Sequence, residues 1–123
     1  MSSQMATSAA VRLSAAAGFV GVALGAFGAH GLEGRLAANG TLEIWETAVL
    51  YHLVHAVAMF AMATRPGLPA GAWSAFLLGI LIFSGSLYVL ALTNIRWLGA
   101  ITPIGGVAFL AGWAWLVWKP VSR

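Results

Sequence analysis

The 123-residue chain contains no cysteine, which excludes disulfides, thiolate metal ligands, cysteine nucleophiles and c-type haem attachment. Charge is almost as scarce: three acidic and six basic residues make up 7% of the sequence, against an apolar fraction of 61%. A soluble fold with so few charged groups would turn large apolar patches to water, so the composition assigns the chain to the integral membrane class. The formal net charge of +3 does not mark a nucleic-acid partner, because the basic residues stand singly along the chain and form no stripe. A nucleophile elbow, a phosphate-binding loop and paired catalytic acids are also missing, so an enzyme reading has nothing to stand on. With no internal repeat or low-complexity linker, residues 1–8 read as a polar N-terminal tail and residues 9–123 as one transmembrane domain.

What is present is four apolar runs, and they predict an all-α fold, an antiparallel four-helix transmembrane bundle with spans at about 9–30, 42–63, 71–92 and 97–118. The first run, with Arg12 ahead of it and small residues at Ala26 and Gly28, has the outline of a signal peptide. Its apolar length of about 20 residues is nevertheless enough to cross a bilayer. Gly18, Gly21, Gly25 and Gly28 fall three and four apart, on one helical face where a neighbouring helix can approach closely. Gly31 to Gly40 reads as a water-exposed connection, after which Thr41 is placed to cap the second helix and Glu43 to meet its dipole. Arg65, Pro66, Gly67 and Pro69 end that helix. The third span, Ala72 to Leu92, carries no charge, and its Ser84, Gly85 and Ser86 again suit close helix contact. The fourth either starts at Trp97 and kinks, or starts at a Thr102 cap with Pro103 in its first turn.

Four spans place both termini on one side. Arg12, Arg65, Lys119 and Arg123 then oppose Arg35, Arg96 and all three glutamates, and the excess of basic residues favours cytoplasmic termini. Trp45, Trp73, Trp97, Trp113, Trp115 and Trp118 fall near predicted helix ends, the pattern of an interfacial aromatic belt.

The second span is the hub, because it buries polar groups in a membrane-grade run. Glu43, Thr47, Tyr51 and His55 lie four apart, with His52 one turn from His55, and this stripe is expected to face the bundle. Its rise of about 1.5 Å per residue puts His55 near mid-bilayer and Glu46 near the interface, level with His30 at the end of the first span. Three readings compete. His52 and His55 with His30 could offer imidazoles to a metal or haem, although the depth difference works against His30 and a di-iron site would need Glu-x-x-His on two helices. The stripe could pass protons or a small solute toward Ser84, Ser86 and Tyr88. The plainest reading is structural: His52, His55 and Tyr51 bond across the bundle and fix helix register, while His30, Glu46 and Arg35 close a polar cap at the membrane surface.

Four stretches in this order, Gly25-Ala-Phe-Gly-Ala-His-Gly-Leu32, Tyr51-His-Leu-Val-His-Ala56, Phe83-Ser-Gly-Ser-Leu-Tyr88 and Trp97-Leu-Gly-Ala-Ile-Thr-Pro-Ile-Gly-Gly106, together resemble the YgdD-like family, domain of unknown function 423. The resemblance runs from about residue 10 to residue 115. It implies a small bacterial inner-membrane protein, with a vertebrate transmembrane relative, and it brings a topology but no activity. The family pattern emphasises His30, His55 and the Thr-Pro-Ile-Gly-Gly run, whereas the position of His52 is often glutamine, which counts against His52 as an obligatory ligand. The expectation is therefore a structural or accessory membrane component surrounded by lipid, with a second copy or another membrane protein as partner and no cofactor. The candidate polar cluster is His30, Glu46, Tyr51, His52 and His55; the candidate packing positions are Gly21, Gly25, Gly28, Ser84 and Gly85.

Overall fold

The computed structural model describes residues 3–119. They form α1 (Ser3–Ala29), α2 (Glu33–Asn39), α3 (Leu42–Ala63), α4 (Ala70–Gly79), a π-helical turn (Ile80–Ser84), α5 (Gly85–Thr93), a 3-10 turn (Arg96–Ala100) and α6 (Thr102–Trp118). No strand occurs among the described residues. Four helical rods, Thr7–Ala29, Leu42–Ala63, Ala70–Thr93 and Arg96–Trp118, are each long and apolar enough to cross a membrane. The fold is all-α, and the protein is an integral membrane protein: Phe19 is 77% exposed and Val117 79%, apolar faces suited to lipid and costly in water.

Each rod packs chiefly on its chain neighbour, α1 on α3 and α4 on α6, while α3 also meets α4, the π turn and α5. The centre of the bundle is filled by Ala56, Met59, Ala63, Ala72, Phe76, Ile80 and Phe109. A second cluster, Leu36, Trp45 and Ala91, closes the end at which α2 lies.

Several local expectations change. α1 runs from Ser3, so the polar stretch ahead of the first span is helical from that residue; with no Pro or Gly among residues 3–8, nothing stops the helix there. Arg123, counted with the terminal side, lies outside the described residues.

The Gly31 to Gly40 connection is not a free loop. It contains α2, with Leu36 fully buried. That helix ends in a Schellman motif: Gly40 takes φ +66°, and the amides of Gly40 and Thr41 bond the carbonyls of Ala37 and Leu36. Thr41 precedes α3 but does not cap it; its hydroxyl donates instead to the Ala91 carbonyl at 2.7 Å.

At the fourth rod the 3-10 turn leads directly into α6, with Pro103 in the first turn. Thr102 is no cap either, since its hydroxyl pairs with that of Ser86 at 2.6 Å.

Candidate functional site

The histidines of α3 are both almost fully buried, His52 at 4% exposure and His55 at 5%. His52 reaches α1 and α5: Nε2 lies 2.8 Å from the carbonyl of Ala17 and Nδ1 2.8 Å from the hydroxyl of Tyr88. A carbonyl can only accept, so Nε2 carries the proton, and Nδ1 of the neutral ring accepts from Tyr88. His55 is arranged the other way round. Nδ1 lies 2.7 Å from the Tyr51 carbonyl, and Nε2 accepts from the indole N–H of Trp113 at 3.0 Å. Because the indole only donates, the His55 proton sits on Nδ1. All four ring nitrogens are thereby engaged within the bundle.

Aromatic rings enclose His55. It stacks on Phe109, with centroids 3.7 Å apart and an interplanar angle of 15°, and meets Phe76 edge-on at 5.0 Å. The ring is therefore clamped between α4 and α6 by dispersion as well as by hydrogen bonds.

Glycines of α1 make the histidine contact possible. Gly21 stands one helical turn beyond Ala17, and a Cβ there would come within 2.6 Å of Leu53 and 3.3 Å of the His52 ring. The same device recurs seven residues on. The Trp45 indole donates to the Leu24 carbonyl at 2.9 Å, one turn before Gly28, where a Cβ would run into the Trp45 ring. His52 and Trp45 are themselves seven apart, so two rungs of an antiparallel heptad seam each pair a glycine of α1 with a side-chain donor of α3. Gly25, between them, packs against Val49. Gly18 falls outside the seam and faces open space. A third link is Ser14, whose hydroxyl donates to Ala10 and accepts from the Trp73 indole at 2.9 Å.

On the third rod, Ser84 is fully buried and donates to the Ala48 carbonyl at 2.8 Å. Gly85 is not a close-contact position: a Cβ there would meet nothing nearer than the Ile80 carbonyl at 4.0 Å. The tight glycines here are Gly105, against the backbone of Phe83 in the π turn, and Gly79 and Gly112, against the rings of Phe109 and Phe76.

The remaining candidates do not join the cluster. Tyr51 joins His55 through its backbone carbonyl, but its side chain is 41% exposed and meets His55, Phe83 and Phe109 by ring contact alone. Glu43, Thr47 and Glu46 are exposed as well, so the stripe does not face the bundle as one. A four-residue step turns about 40° past a full circle, and three steps carry the stripe about 120° around α3. His30 is exposed and forms no polar cap with Glu46 and Arg35. Among the described residues no three His, Asp or Glu side chains gather.

The cap is built otherwise, on the carbonyls that end α5. The Ala91 carbonyl accepts from Thr41 and from the Asn39 amide at 3.0 Å, and the Leu92 carbonyl from Arg35 Nε at 2.9 Å. Arg96 bonds Asn94 and the Asn39 carbonyl. Two cations at a helix C-terminus offset its negative dipole end.

Sequence reasoning assigned Trp45, Trp73 and Trp113 to the interfacial belt and so missed them as internal donors. Their proximity to helix ends is real, but Trp45 and Trp73 are buried, and each of the three indoles has a partner inside.

A family model described as protein of unknown function (DUF423) matches residues 24–106. UPF0382 membrane protein SH2409 of Staphylococcus haemolyticus is 48% identical over 101 residues, covering 78% of this chain and 81% of the relative. UPF0382 membrane protein YwdK of Bacillus subtilis is 48% identical over 103 residues, covering 78% and 82%. UPF0382 inner membrane protein YgdD of Escherichia coli K12 is 45% identical over 107 residues, covering 81% and 79%. No solved structure matches the chain.

Proposed function

Since the chain belongs to the DUF423 family and its relatives are described as membrane proteins, we propose that it is a non-enzymatic structural or accessory component of a bacterial inner membrane, with both termini cytoplasmic. The observation that supports this reading most strongly is the closure of the polar core. His52 and His55 spend all four ring nitrogens on partners inside the bundle, which suits a fixed cross-link and leaves no free imidazole nitrogen for a ligand; three of the four partners, two carbonyls and an indole, do not hand a proton on. Arg35 and Arg96 favour the orientation in the same way. Both are used locally, Arg35 on the Leu92 carbonyl of α5 and Arg96 on Asn94 and the Asn39 carbonyl of α2, so their presence opposite the termini has a structural reason that the topological bias of loop charge does not supply. A second copy or another membrane protein is the partner class that suits the apolar outer faces.

The test is proton flux in liposomes holding the purified protein and an internal pH indicator. Under an imposed potential, the parent and His55→Gln should both match protein-free vesicles. Flux carried by the parent and absent in a stable His55→Gln protein would replace this reading with transport.

A further inference from the structure

An open groove of about 310 Å³ lies between α1 and α3. Gly25 and Gly28 of α1 line one wall, and Val49, Leu50 and Leu53 of α3 the other. From Leu42 to Leu53 the groove follows twelve residues of α3, about 16 Å at the helical rise, or half the hydrocarbon thickness of a bilayer. It therefore runs from the membrane surface to near the midplane. Its polar groups sit at the surface end. The Trp45 indole N–H is committed to the Leu24 carbonyl, which leaves the exposed carboxylate of Glu46, without an ion-pair or hydrogen-bond partner among the described residues. A carboxylate accepts and does not donate, so a matching occupant brings a cation with N–H donors at headgroup depth and a hydrocarbon chain below it.

We propose that this groove seats an acyl chain of phosphatidylethanolamine, with the primary ammonium of its headgroup bonded to Glu46. Charge decides among lipids. An anionic headgroup without an ammonium would set its phosphate against the carboxylate, and a choline headgroup has no N–H to donate.

Native mass spectrometry of the parent in mild detergent, with an equimolar mixture of phosphatidylethanolamine, phosphatidylcholine and phosphatidylglycerol, tests the proposal. Phosphatidylethanolamine should be retained over phosphatidylglycerol by about fivefold, the scale of one exposed ion pair. Glu46→Gln should lose that preference. Glu43→Gln should keep it, because Glu43 lines a different surface beside Leu87. Leu50→Trp, at an exposed position of the groove wall, should lose retention of all three lipids. Equal retention by the parent, a preference that survives Glu46→Gln, or a dimer that covers the groove and excludes lipid would each overturn the proposal.

Discussion

Trp113 donates its indole N–H to Nε2 of His55 across 3.0 Å, and this one contact decides which nitrogen of the imidazole carries the proton. Three residues away His52 is held in the opposite tautomer by Ala17 and Tyr88. The two rings together tie α3 to α1, α5 and α6, which makes the central helix the register pin of the bundle.

Removing the His55 bond from either end gives the first prediction. Trp113→Phe keeps an aromatic ring against Phe76 and loses the donor, and should destabilise the protein in detergent by about 1 kcal/mol, within the range of intramembrane hydrogen bonds. His55→Leu should cost about 1–2 kcal/mol, whereas His55→Gln, which keeps an acceptor for Trp113, should lose less. In a double-mutant cycle Trp113→Phe should have little further effect on His55→Leu. Additive losses in equilibrium unfolding would show that the two side chains act independently.

The glycines separate into two classes. Alanine at Gly28 or Gly105 would overlap the Trp45 ring or the Phe83 backbone and should lower stability by about 1–3 kcal/mol, as overpacking does. Alanine at Gly18 or Gly85 meets nothing closer than 4.0 Å and should be neutral or stabilising by up to about 1 kcal/mol, since helical glycine is entropically costly. Thermal unfolding of the four variants gives the order directly; a Gly28→Ala protein as stable as the parent would mean that α1 and α3 are not in close contact.

At the other end of the bundle, Thr41→Val removes a buried hydroxyl from the Ala91 carbonyl without changing side-chain shape. It should cost about 1 kcal/mol. Arg35→Ala should cost less, because the Leu92 carbonyl keeps the Asn39 amide as a donor at 3.3 Å. Amide exchange should accelerate at the end of α5 in both variants, and unchanged protection there would show that α2 does not hold that end.

For orientation, the absence of cysteine allows single reporters to be introduced without other changes. Gly34 is an open position on α2, so Gly34→Cys should react with an impermeant thiol reagent on intact cells. Ser122→Cys should react only after permeabilisation. The reverse pattern would place the termini outside.

Much of the fold was legible because a bilayer imposes it: four apolar runs bounded by Pro, Gly and charge can form little else than spanning helices. His52 and His55 were legible as buried groups because a polar residue in such a run must turn inward. Their partners were less so. Ala17 contributes only a backbone carbonyl, which no side chain advertises, and Trp113, fifty-eight residues beyond His55, looks like any tryptophan near a helix end. Tyr51 was assigned to the interior by its spacing from His55, but drift around α3 turns it outward. The short helix α2 was hidden by Gly34 and by a length below that of a helix stable alone, and it exists because Leu36 is buried against the ends of its neighbours.

The account rests on His52 and His55 being opposite tautomers, and long-range proton–nitrogen correlation spectra of histidine-labelled protein read this directly. The predicted spectrum, in a neutral-pH detergent or lipid preparation, shows His52 protonated on Nε2 alone and His55 on Nδ1 alone, with the His55 pattern changed by Trp113→Phe. Two Nε2-protonated rings, or a His55 ring carrying protons on both nitrogens, would contradict it.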